Sequence, residues 1–157
     1  MTALRFFQGA LFFPLLSLLT IAILAAWDGG LLFTPDWKAW QDFLFEIGFW
    51  YGLFPYAAFS VFMFRKIRTK TEDQIVRLMW WSPIWFIPFF GLAWFLLGLV
   101  MVMIGNLGGF GMMIIWVAFL LYIPLFGYFF VALVYGAFLF FRFMNWIKNE
   151  SMPMHEQ

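Results

Sequence analysis

The chain has no cysteine, which removes disulfides, thiolate metal sites, iron–sulfur clusters and cysteine nucleophiles together. It has one histidine, His155, third from the C-terminus, so no hydrophobic stretch carries an imidazole to ligate haem or to act as a base. Charge is nearly as scarce. Asp, Glu, Lys and Arg make up 11% of 157 residues, against about 25% in a typical soluble domain. Nine basic and eight acidic residues leave a net charge of +1, which gives no global field to attract nucleic acid or an acidic substrate.

What fills the space is apolar. Hydrophobic residues are 66% of the chain, and 25 Phe, 10 Trp and 5 Tyr supply an aromatic fraction of 25%. The charges that do occur divide this material into blocks. Phe6 to Trp27 carries no charge, Phe43 to Phe64 carries only Glu46, and Leu78 to Phe141 is uncharged throughout. A helix needs about 20 apolar residues to cross a hydrocarbon core roughly 30 Å thick, so the first two blocks are one span each and the third is too long for one. Its one cluster of turn-forming residues, Gly105-Asn106-Leu107-Gly108-Gly109-Phe110-Gly111, divides it in two. The expected fold is all-α: a polytopic integral membrane protein forming a four-transmembrane-helix bundle in a single membrane domain. Its spans are at about 6–27, 43–64, 80–104 and 112–141. A rival division at Pro88 or Pro124 lacks neighbouring Gly, Asn or Asp for a tight turn, and proline is tolerated as a kink inside a membrane helix. The N-terminal block is read as a span rather than a signal peptide, because its uncharged run exceeds the usual 7–15-residue core of such a peptide.

Orientation follows from the short loops. Arg65, Lys66, Arg68, Lys70 and Arg77 occupy the loop at 65–79, and four spans bring Arg5, Arg142 and Lys148 to the same side. The opposite loop at 28–42 has only Lys38 among Asp28, Asp36 and Asp42. The excess of Lys and Arg marks the cytoplasmic side, so both termini and the tail at 142–157 are expected in the cytoplasm, with the chain in the cell inner membrane or plasma membrane. Trp27, Trp37 and Trp40 then fall at the outer boundary and Trp80, Trp81, Trp85 and Trp146 at the inner one, where amphipathic indoles prefer to sit. Trp94 lies near mid-span, where its N–H requires an acceptor and the ring a helix-facing position.

Two helix starts are legible. Thr71-Glu72-Asp73-Gln74 matches a capping box with two carboxylates at the positive end of the helix dipole. Thr34-Pro35-Asp36 offers a cap, a proline at the first helical position and an acid in the first turn, followed by an amphipathic stretch expected to lie in the outer interface. Small residues mark faces for close helix approach: Gly48 with Gly52, Ala22 with Ala26, Ala132 with Gly136, and Gly91, Gly98 and Gly105 spaced by seven. The uncharged run of the fourth span, about 45 Å long as a straight helix, must tilt, kink at Pro124 or protrude.

Candidate chemistry is thin. Asp42 and Glu46 share a helix face with Lys38 and form either a solvated ion-pair ladder or a polar site at the outer mouth. Arg65, Lys66, Arg68 and Lys70 can meet anionic lipid headgroups or an acidic partner, besides setting topology. Met152-Pro153-Met154-His155 offers soft ligands suited to Cu(I), but the tail is too short to enclose a metal alone. No spacing suits a catalytic triad, a metal site or a phosphate-binding loop.

The composition therefore points to a non-enzymatic inner-membrane protein, without catalytic, cofactor or metal residues, that acts through protein–protein contacts in the bilayer. An accessory, assembly, regulatory or immunity/exclusion-type subunit fits. Expected partners are membrane lipids and either another membrane protein or further copies of the chain, and not nucleic acid. The alternatives are a small oligomeric transporter or channel, with Glu46 as its main polar group, and a lipid- or quinone-contacting subunit of a membrane complex.

Overall fold

The computed structural model describes residues 2–144 and 146–147. Lys148 and the Met152–His155 tail therefore lie outside the described residues. Among the described residues six α-helices form: α1 at Ala3–Asp28, α2 at Trp37–Phe45, α3 at Leu53–Ile67, α4 at Glu72–Met103, α5 at Gly109–Ile115 and α6 at Tyr122–Phe143. No strand occurs among the described residues. The helices α1, α4 and α6 are each long and apolar enough to cross a membrane. A fourth crossing exists if α2 with its extension to Trp50 is counted together with α3 as one span bent by 45°.

That bend departs from the uninterrupted span expected at 43–64. Over Glu46–Trp50 the helix widens into a π-turn, closed by a bond from the Tyr51 N–H to the Glu46 carbonyl at 3.1 Å. The extra residue throws the α register off. Gly52 then adopts φ +78° and ψ +24°, a left-handed conformation that a residue with a Cβ enters only under strain. Pro55 follows in the first turn of α3, where its missing N–H costs nothing.

Prolines lie both inside the other long helices and at the start of the last one. Pro83 and Pro88 lie within the unbroken α4. Pro83 cannot donate to the Met79 carbonyl one turn earlier, and the Ser82 hydroxyl donates to that oxygen instead at 2.6 Å. The chain leaves the α form over Trp116–Phe119, and Pro124 follows in the first turn of the next helix. The expected continuous span at 112–141 is therefore two pieces: α5, extended by a tight turn at Trp116–Phe119, and then α6. Together they run antiparallel to α4 along its length, with Gly98 beside Gly109, Gly91 beside Trp116, Pro83 beside Gly127, and Glu72 beside Arg142.

The helix starts also differ in detail from their sequence signatures. α4 begins after Thr71, which has extended geometry (φ −70°, ψ 163°), but the Thr71 side chain makes no capping bond. Glu72 turns away to accept from Arg142 Nη1 at 2.7 Å. For α2 the cap is Asp36 rather than Thr34; its carboxylate accepts from the N–H groups of Lys38 and Ala39 at 3.0 and 3.3 Å. Pro35 thus precedes the cap instead of occupying the first helical position.

One hydrophobic cluster fixes how the ends come together. Ala3 and Phe7 from the start of α1, Ile67 from the end of α3, Ile75 from the start of α4, Phe138 from the end of α6, and Ile147 pack as buried residues. Arg5, the loop at 65–70, Arg77 and Arg142 therefore gather at one end of the molecule. Burying about 25 cal/mol per Å² of apolar surface stabilises such a cluster where water reaches the helix ends.

Candidate functional site

The bundle is not sealed along the line between α1 and α6. These helices meet at two aromatic contacts. Near the basic end Phe6 and Phe7 lie 5.6 and 4.8 Å from Phe138, centroid to centroid. Farther along, Phe13 stacks on Phe130 at 6.1 Å with an interplanar angle of 16°. Between them the residues turned to the seam are small or slender. Gly9 and Ala10 come from α1 and Leu133, Val134 and Ala137 from α6, and the apolar groove they open, which reaches Phe141, Trp146 and Ile147 at the basic end, measures about 820 Å³. A Cβ placed on Gly9 would meet nothing within 4 Å. The volume is within the roughly 300–1,000 Å³ of sites that hold small apolar ligands.

Behind the groove lies an inner cavity of about 100 Å³ among α1, α3, α4 and α6. Ala10, Phe130 and Val134 line both spaces. Its walls are apolar except for a few hydroxyls. Tyr56 Oη and Ser60 Oγ both donate to the Leu11 carbonyl of α1, at 3.2 and 3.5 Å. Both bonds reach α1 within one turn of Pro14, which withholds its own N–H from the Ala10 carbonyl. With its hydroxyls committed to carbonyls, the cavity suits a small apolar guest better than an ion or a sugar.

The small residues separate into three uses. Gly91 and Gly98 serve packing inside the chain: a Cβ on Gly91 would press the Trp116 ring at 3.1 Å, and one on Gly98 would lie 2.5 Å from the Gly109 carbonyl oxygen. Gly48, Gly52 and Gly105 are used differently. Gly48 lies under the Phe54 ring of its own bent segment, Gly52 takes positive φ at the 45° bend with the Phe90 ring of α4 beside it, and Gly105 takes positive φ where the chain turns from α4 to α5. The seven-residue glycine spacing therefore describes a packing face at its first two positions and a turn at the third. Ala132 and Gly136 stand exposed on α6, with empty space where a Gly136 Cβ would be.

Asp42 and Glu46 are both exposed, and neither forms an ion pair with Lys38. Among the described residues no group of three or more His, Asp or Glu side chains is arranged to hold a metal ion. The basic loop splits. Lys66 and Lys70 turn toward α4, where the Lys66 ammonium lies 4.1 Å from the centroid of Trp85. Arg65 and Arg68 are exposed, and the Arg68 guanidinium lies over Phe64 at 5.6 Å.

Trp94 is fully buried, as its mid-span position requires, but the expected acceptor is missing: Nε1 has no hydrogen-bond partner among the described residues. Its ring is held by aromatic edges instead, with Trp50 at 5.1 Å and Phe45, Phe49 and Phe90 at 6.0 to 6.2 Å. Neither the groove nor the cavity was visible in the sequence. Gly9 and Ala137 belong to no small-residue pair at four-residue spacing, so only the placement of α1 beside α6 reveals them. No protein-family model, curated protein or solved structure matches the chain.

Proposed function

We propose that the protein is a non-enzymatic four-span bundle of the cell inner membrane, with both termini cytoplasmic, that acts by contact inside the bilayer. Its contact surface is the α1–α6 seam, and the occupant is an apolar helix of a partner membrane protein. The observation that carries this reading is the groove itself. Two aromatic contacts hold the helices together, and between them Gly9, Ala10 and Ala137 leave room that none of the described residues fills. Small residues on both sides of a seam allow close backbone approach, and in lipid such packing drives helix association. The gathering of the basic loop, Arg5 and Arg142 at one end supports a common cytoplasmic side for the two termini.

The test compares the full-length protein with Ala137→Trp after mild crosslinking in native membranes. A partner captured by the unaltered chain and lost from Ala137→Trp, with helix content unchanged, supports the reading. A protein that emerges alone, or a partner retained by both forms, overturns it.

A second reading has one observation in its favour. The groove and the inner cavity are both apolar and lie against the same residues, Ala10, Phe130 and Val134, which suits a lipid chain or a quinone tail. Mass spectrometry of gently purified protein distinguishes it: a stoichiometric apolar small molecule, displaced by Ala10→Phe, would favour this reading over a partner helix.

A further inference from the structure

At the basic end, away from the α1–α6 seam, a second recess of about 300 Å³ lies between the end of α3 and the first turns of α4. Lys66, Lys70 and Arg77 line it together with Gln74, Trp81 and Trp85. The α4 residues arrive there because Gln74, Arg77, Trp81 and Trp85 recur at intervals of three and four and so share one helix face. Lys66, in the last turn of α3, and Lys70, in the loop beyond it, line the same recess.

Two features make this more than a positively charged loop. The Lys66 ammonium is seated against rings, 4.1 Å from the centroid of Trp85 and 5.3 Å from that of Phe62. A cation over an aromatic face keeps its charge and its donors but loses much of its freedom, so little further ordering is needed when an anion arrives. The three cations also form no ion pair: among the described residues no carboxylate is within ion-pair distance of Lys66, Lys70 or Arg77, and of the two acids in the first turn of α4, Glu72 is engaged with Arg142 while the exposed Asp73 pairs with none of the three.

We infer that this recess binds the phosphate of an anionic phospholipid. Lys66, Lys70 and Arg77 take the oxyanion, Gln74 supplies a neutral polar group at the rim, and Trp81 and Trp85 hold the headgroup region at the depth where indoles settle. Below the recess, Phe62 and Phe89 lie 5.3 Å apart and continue an apolar surface for the acyl chains. The shared chemistry is that of any phosphate ester. The indole rim, rather than a closed polar cup, favours a lipid over soluble phosphate. Arg65 and Arg68, equally basic and equally close in sequence, stay outside the site. The inference does not depend on what occupies the α1–α6 seam.

The test is titration of the full-length protein in mild detergent with dioleoylphosphatidylglycerol or dioleoylphosphatidylcholine, read by native mass spectrometry. The expected result is tighter binding of the anionic lipid, weakened about fivefold by each of Lys66→Gln, Lys70→Gln and Arg77→Gln. Arg65→Gln with Arg68→Gln should leave it unchanged, Lys66→Arg should retain it, and 10 mM inorganic phosphate should not displace the lipid. Circular dichroism and gel filtration of each variant keep a folding defect distinct from lost binding. Equal binding of the two lipids overturns the inference. So does an equal loss from the Arg65/Arg68 double variant, which makes the effect one of diffuse charge, or full displacement by inorganic phosphate, which makes the ligand a soluble anion.

Discussion

The Phe13 ring of α1 lies stacked on Phe130 of α6 at a centroid distance of 6.1 Å, and this contact closes one end of the seam whose other end is closed by Phe7 on Phe138 at 4.8 Å. Such pairs are worth about 0.5–1.5 kcal/mol beyond the area they bury. Phe13→Ala is therefore expected to lengthen the groove at a modest cost in stability. Thermal unfolding followed by circular dichroism should show a small drop, and capture of the seam's occupant should change. A partner retained unaltered by Phe13→Ala and by Ala137→Trp alike would separate the seam from binding.

The two classes of glycine should respond oppositely to alanine. Gly98→Ala places a Cβ against the Gly109 carbonyl and the Met113 backbone, and overpacking of this kind costs about 1–3 kcal/mol. Gly136→Ala meets nothing within 4 Å and removes a flexible residue from a helix, which favours folding by up to about 1 kcal/mol. Unfolding midpoints in a defined detergent check both.

The burial of Trp94 is a matter of ring packing. Trp94→Phe keeps an aromatic ring among Trp50, Phe49, Phe45 and Phe90 and removes the N–H that finds no acceptor. Trp94→Ala empties the cage, at a cost on the order of 3–5 kcal/mol. The expected order of stability is unaltered chain and Trp94→Phe close together, with Trp94→Ala far below. A Trp94→Phe variant as damaged as Trp94→Ala would show that the indole N–H has a role the ring does not explain.

Absence of cysteine makes the proposed topology directly testable, since single cysteines can be introduced without a background. Thr34→Cys and Asn106→Cys should react with a membrane-impermeant maleimide added outside intact cells, and Thr69→Cys only after permeabilisation. Labelling of Thr69→Cys from outside would invert or break the four-span arrangement. By the same topology Glu46 is exposed near the outer boundary, and Glu46→Gln should leave partner capture unchanged. If it abolished the flux of a solute after reconstitution, the transporter reading would replace contact.

The charge-free blocks foretold where long helices form because desolvation of charge is the largest single-residue penalty in an apolar segment. They could not foretell where those helices break. Pro83 and Pro88 lie within an unbroken α4 while Pro124 falls in the first turn of α6 after a break, and the charge-free run around all three looks alike. The same holds for the glycines. Gly91 and Gly98 pack because α5 folds back on α4, whereas Gly105 makes the reversal that brings it there. Arg77 joins Lys66 and Lys70 only through the angle of the α3–α4 hairpin. Helix content is written in local composition, but seams and recesses arise between elements distant along the chain.

The most direct measurement is site-specific photocrosslinking in native membranes, with the photoreactive residue placed in turn at Gly9, Ala137, Leu24 and Leu92. The first two face the groove; the last two are exposed elsewhere on α1 and α4. A contact surface at the seam predicts one discrete protein adduct from Gly9 and Ala137 and only lipid adducts from Leu24 and Leu92. Lipid adducts alone from all four positions, or the same protein adduct from all four, would contradict it.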